Sequence, residues 1–163
     1  MKHNTYHNFQ EKSFTLIELV IVIAIIGAIS VIGITNLFNY RSLQNLKNTT
    51  QEIVAVLRNA QNRSMSQELS NRWGVYFSNP AGAGNDFFEL FSGTNYNPAA
   101  VASHTVLSSG VQFDVPAAGA STTIIFSPLT GFPDTSTAVR ISLTNNPLAS
   151  STITINSNGQ IQY

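Results

Sequence analysis

Residues 14–34 read FTLIELVIVIAIIGAISVIGI, an apolar run in which Glu18 is the only charged side chain. As an α-helix rising 1.5 Å per residue, this run spans about 31 Å, the thickness of a bilayer's hydrocarbon core. An apolar run of this length passes the threshold for a membrane helix, which a helix buried in a soluble protein seldom reaches. A cleaved secretory signal would have a shorter apolar region closed by a small-residue site. Ala28-Ile29-Ser30 offers such a site, but apolar sequence continues beyond it and a helical pattern follows without a break. The stretch therefore predicts a membrane segment over residues 14–35. Before it lies a polar leader, residues 1–13, containing Lys2, His3, His7, Glu11 and Lys12.

Towards the C-terminus the pattern becomes amphipathic. From about Asn36 to Ser70, Leu43, Leu46, Ile53, Leu57, Ala60 and, more loosely, Met65 and Leu69 recur at three- and four-residue steps. Arg41, Lys47, Glu52, Arg58 and Arg63 fall mostly between them, so one apolar stripe is expected along a stalk helix, residues 36–72. No proline precedes Pro80, and the membrane and stalk portions read as one very long helix. Gly27 and Gly33 would loosen it locally, and Ala24 with Ala28 would let a neighbouring helix approach.

After Arg72 the period changes to two. Trp73, Val75 and Phe77 alternate with Gly74, Tyr76 and Ser78, which predicts a strand. Further strands are expected at Asp86–Ser92, His104–Leu107, Val111–Val115, Thr122–Phe126, Ala138–Leu143, Thr152–Ile155 and Gln160–Tyr163. Loops rich in Gly, Asn and Pro separate the first of them, and Ser157-Asn158-Gly159 marks a hairpin because Asn and Gly tolerate positive φ. The fold class is thus α+β: a long N-terminal helix, half membrane and half amphipathic, packed on a C-terminal antiparallel β-sheet or small sandwich, residues 73–163.

Composition removes several function classes. The chain has 163 residues, a formal net charge of +0 and only 10% charged residues, against roughly 25% in soluble domains. It has no cysteine, which excludes disulfides and Cys-based metal sites. No charge balance points to nucleic acid or to an acidic ligand.

The run Lys12-Ser13-Phe14-Thr15-Leu16-Ile17-Glu18-Leu19-Val20-Ile21-Val22 resembles the prepilin signal of type IV pilins and type II secretion pseudopilins. In that family a dedicated membrane peptidase cuts a short polar leader just before a Phe. The new amine is then methylated, and a Glu four residues on is the one charge of the apolar helix. The resemblance implies cleavage between Ser13 and Phe14, N-methylation of Phe14, and an assembly role for Glu18. Ser13 departs from the pattern: the family has glycine there, although serine is also small. The likeness is close over roughly the first third of the chain and architectural beyond it.

Glu18 also has a rationale in physics. An acid in a membrane helix costs up to about 2.5–3.5 kcal/mol near the centre, so it requires a partner or access to the interface. Cleavage would create an amine at Phe14, one turn away, and Glu18 of one subunit could meet the Phe14 amine of the next. That pair would neutralise two charges and fix the axial stagger. A Glu that merely snorkels to the interface is the plainer alternative.

The stalk followed by a cysteine-free all-β tail is similar to minor pseudopilins of the GspH/FimT type. That resemblance implies a structural, non-enzymatic subunit of a type II secretion or type IV pilus filament. It implies a single pass through the bacterial inner membrane, with the β domain extracytoplasmic. The implied partners are other pilin or pseudopilin subunits, the prepilin peptidase, the inner-membrane assembly platform and the lipid bilayer; no cofactor is implied. DNA-binding pilins of natural transformation are the alternative. They use basic residues around the terminal glycine turn, where this chain has Gly159-Gln160-Ile161-Gln162-Tyr163 and no Lys or Arg. Only Arg72 and Arg140 are basic in the β region, too few cations to neutralise a phosphate backbone.

Other constellations carry little chemistry. His104, the only histidine outside the leader, reads as a strand-edge residue with no triad or zinc set around it. Asp86, Glu89, Asp114 and Asp134 lack a calcium-loop spacing and read as solvated acids. Gly82-Ala83-Gly84 is a loop rather than a nucleotide fingerprint. Asn48-Thr49-Thr50 and Asn62-Arg63-Ser64 match glycosylation sequons by chance within a helix.

Overall fold

The computed structural model describes residues 14–82 and 84–163, with 31–38 described by their backbone alone. Ser13 and the rest of the expected leader, and Ala83, lie outside the described residues, as do the surroundings of Gly33. Helix α1 runs Leu16–Met65, as the absence of proline predicts. The chain divides into two compact units, Met1–Asn39 and Tyr40–Tyr163, and α1 contributes to both.

In the second unit the buried face of α1 is Leu46, Thr49, Thr50, Ile53, Val54, Leu57, Ala60 and Ser64. Its apolar members form one core cluster with Val75, Phe77, Phe113, Ile141 and Ile153 of the strands. Expected stripe residues at the two ends of this half-helix are exposed instead: Leu43 at 51%, Met65 at 36% and Leu69 at 73%. The helix also stops five residues short of Ser70, for a reason visible at Ser64. The Ser64 hydroxyl accepts from the Trp73 N–H at 2.7 Å and donates to the Trp73 carbonyl at 3.2 Å, so the chain must reverse between them. It does so with Gln67, Leu69 and Ser70 in left-handed backbone, φ 53°, 58° and 56°. Arg63 lies 4.5 Å over the Trp73 ring, and the indole N–H donates to the Glu68 carbonyl at 3.2 Å.

Thr50 satisfies its buried hydroxyl by donating to the Leu46 carbonyl at 2.8 Å. Among the described residues, Thr49 Oγ1 is the buried side-chain oxygen without a partner. Thr49→Val keeps the shape and removes the orphan, so it should raise stability by about 1 kcal/mol. A higher urea midpoint at unchanged slope is the expected readout.

Eight strands follow: β1 Trp73–Asn79, β2 Phe87–Ser92, β3 Val101–Val106, β4 Val111–Val115, β5 Ala120–Phe126, β6 Thr137–Leu143, β7 Asn146–Ile155 and β8 Ile161–Gln162. They form two antiparallel four-stranded sheets, β3-β2-β1-β5 and β4-β6-β7-β8. Alternation sends Val75 and Phe77 of β1 inward, and the Phe77 ring meets Phe113 of the other sheet edge-on at 5.8 Å. The fold is therefore the expected α+β class, with the tail resolved into two sheets. Strand β3 begins three residues earlier than its sequence pattern suggests and β7 six residues earlier. Pro147 stands at the second residue of β7, a place that tolerates the missing N–H.

The outer face of the first sheet carries a second small cluster. Phe91 is fully buried there over Gly74, where an added Cβ would lie 2.8 Å from the ring. Tyr96 packs edge-on to Phe91 at 5.5 Å and stacks on Tyr76 at 3.8 Å, fastening the loop between β2 and β3 to the sheet.

Candidate assembly site

The start of α1 is built by Thr15 and Glu18. Thr15 Oγ1 accepts from the Glu18 N–H at 3.3 Å, and the Thr15 carbonyl accepts from Glu18 and Leu19 at 3.1 and 3.2 Å. Thr15 is thus the N-cap, and Thr15-Leu16-Ile17-Glu18 has the spacing of a capping box. Glu18 sits in the first turn, where the helix dipole favours a negative charge. That local reason for an acid was legible in the T-x-x-E spacing and is additional to any partner the carboxylate finds. Thr15→Val should cost the helix start about 1 kcal/mol. Faster amide exchange confined to residues 17–19 would report it.

Over residues 16–30 the large apolar side chains point outward on every face. Phe14 is 81% exposed, Leu16 80%, Ile17 64% and Ile29 65%. The polar hydroxyl of Ser30 is satisfied locally, donating to the Ile26 carbonyl at 2.7 Å. Gly27 has nothing within 4 Å of where a Cβ would stand, so packing within the described chain does not require a glycine there. Glu18 makes no ion pair among the described residues. Among the described residues no helix is long and apolar enough to cross a membrane. The side chains described without interruption, Leu16–Ser30, would rise about 22 Å as a helix, and the apolar sequence of residues 31–34 lies beyond them.

The acids of the β region are held apart, each by its own partner. Asp86 accepts from the Phe113 N–H at 2.6 Å, and burial pushes its carboxyl above the usual range against that hydrogen bond. Glu89 accepts from the Tyr96 hydroxyl at 2.5 Å and lies 2.7 Å from His104 Nδ1. Burial first, and Glu89 second, push the Tyr96 hydroxyl up to about 12. Asp114 pairs with Arg140 at 3.3 Å and accepts from Ser142 at 2.9 Å. Asp134 pairs with Arg72. Among the described residues no group of three or more such side chains could hold a metal ion. Both arginines of the β region are engaged by acids, which removes them as free cations. His104 does sit on β3, at one edge of its sheet, directly opposite Glu89 in register.

A cleft of about 830 Å³ opens among the loops around residues 80–82, 84–86, 107–111 and 117–118. Its lining includes Asn79, Asp86, Gln112 and Asp114 but no His, Lys or Arg.

The comparisons with known proteins agree with this architecture. Residues 8–34 match the family described as the prokaryotic N-terminal methylation motif. The fold is similar to that of the type IV minor pilin FimU of Pseudomonas aeruginosa, strain PAO1, in two crystal forms. In one, the TM-score is 0.53 at 15% identity, covering 73% of this chain and 87% of that one. In the other it is 0.50 at 16% identity, covering 72% and 90%. No curated protein matches. A prepilin-type motif at one end and a minor-pilin fold at the other make the chain type IV pilin-like.

Proposed function

We propose that the chain is a structural minor pilin or pseudopilin, inserted in the bacterial inner membrane and assembled through its N-terminal helix. The filament it joins belongs to a type II secretion system or a type IV pilus. Residues 1–13 are the leader, 14–35 the membrane and assembly helix, 36–72 the amphipathic stalk and 73–163 the extracytoplasmic β domain. The prepilin peptidase cuts between Ser13 and Phe14, Phe14 is methylated, and Glu18 reads the position of the neighbouring subunit. The chain catalyses nothing itself. Its partners are other pilin-like subunits, the peptidase, the assembly platform and lipid.

The observation that carries this reading is the outward-facing apolar surface of α1 over residues 16–30, with a single acid in its first turn. Such a surface is too costly to leave in water and too uniform to dock on one side only. Lipid before assembly and neighbouring helices after it satisfy both conditions. The chain has no cysteine, so a single Ala24→Cys gives an unambiguous probe. In producing cells, cross-linking from that position should yield adducts with other pilin-like subunits. Adducts with none of them would contradict the assignment.

A further inference from the structure

Strand β8 covers very little of its neighbour. It pairs only Gln162 and Ile161 with Thr154 and Ile155 of β7, while β6 pairs β7 along the opposite edge from Ile155 to Ser150 and, after a register shift, at Asn146. Among the described residues, no strand pairs with the outer edge of β7 over residues 148–153. Pro147 has no N–H to offer and closes the far end. What remains is an open edge over residues 148–153, of which 150–153 lie in the regular ladder with β6, enough for a short strand. Unpaired N–H and C=O groups in that alternation are matched in full only by another extended backbone.

The space beside this edge has the character that a strand's inward side chains need. A groove of about 290 Å³ lies between α1 and β7, lined by Leu43, Leu46, Thr50 and Gln51 on one side and Ser151 and Tyr163 on the other. Ala149, Ser151 and Ile153 are the more buried alternate residues of β7, so an added strand would turn every second side chain towards that groove. Leu43 is 51% exposed. Lys47 is the one charged side chain in the lining, and among the described residues it makes no ion pair.

We propose that the outer edge of β7 and the groove beside it bind an extended polypeptide segment of another protein as an added strand. The segment carries apolar side chains at alternate positions and a carboxylate that reaches Lys47. The main chain supplies affinity, and the groove with Lys47 supplies selection. This inference uses only residues 40–163 and does not depend on membrane insertion.

The test uses the full chain in detergent micelles and, as probe, a blocked hexapeptide alternating valine and threonine with one central glutamate. Hydrogen exchange of the open amides within residues 148–153 should slow at least about tenfold at saturating peptide. Lys47→Glu, an exposed change, should weaken the peptide about tenfold, roughly 1.4 kcal/mol, and a peptide with lysine for glutamate should recover it. Failure of millimolar peptide to slow those amides overturns the proposal. So does equal slowing along β3 and β5, which marks general stickiness. Protection without peptide that grows with chain concentration would identify a second copy as the occupant, and protection by micelles alone would identify a lipid-covered face. Either result also overturns it.

Discussion

Glu18→Ala is expected to leave the chain in the membrane and to cut its incorporation into the filament at least a hundredfold. Removing a charge from an apolar helix does not hinder insertion, since an acid near the centre of such a helix costs about 2.5–3.5 kcal/mol. Assembly is different. If Glu18 meets the Phe14 amine of a neighbour, its loss leaves a buried ammonium unpaired, at about 3–5 kcal/mol, and about 3 kcal/mol is already a hundredfold in occupancy. Glu18 is also the third residue of a helix capped by Thr15, so the variant needs two controls. Glu18→Gln keeps a polar acceptor of the same shape and loses only the charge. Thr15→Val weakens the cap and keeps the charge. Quantitative blotting of sheared filaments against membranes should show Glu18→Gln as deficient as Glu18→Ala, with Thr15→Val near normal. Normal incorporation of Glu18→Gln would assign the acid to capping alone.

The largest expected loss of stability is at the C-terminal turn. Gln61 Nε2, on α1, donates to the Gly131 carbonyl at 2.9 Å and the Gly159 carbonyl at 2.8 Å, clasping two loops to the helix. Gly159 has φ +79°, and a Cβ there would lie 2.7 Å from Gly131 O and 2.8 Å from Gln61 Nε2. Gly159→Ala therefore combines left-handed strain of about 1 kcal/mol with two lost hydrogen bonds of about 1 kcal/mol each. A loss near 3 kcal/mol is expected, a drop of about 10 °C in Tm for a unit of this size. Gln61→Leu removes the clasp without the strain and should cost less. A Gly159→Ala protein melting with the parent would mean the turn relaxes freely, contrary to this packing.

The same turn shows how far the sequence could be read. Asn158-Gly159 predicts a hairpin, and one is present, yet only Gly159 takes positive φ. The turn closes from the Gly159 N–H to the Asn156 carbonyl at 2.9 Å. Local pattern identifies the turn, but its demand for glycine comes from Gln61, which stands far away in the chain. The strands were legible because alternation and loop residues are local signals. The start of β7 was not, because Asn146-Pro147 reads as a breaker and the strand there is defined by pairing with β6. The end of α1 was not either. Met65 and Leu69 continue the apolar spacing, whereas Ser64, a polar residue, decides where the chain turns back. At the assembly site, the T-x-x-E cap was present in the sequence, overshadowed by the charge argument for Glu18.

On the proposed function, processing of the N-terminal helix precedes its entry into a filament. N-terminal mass spectrometry of the chain recovered from sheared filaments tests it most directly. A polypeptide beginning at N-methylated Phe14 is expected. A chain that is missing from the filament fraction, or present there with residues 1–13 still attached, would contradict it.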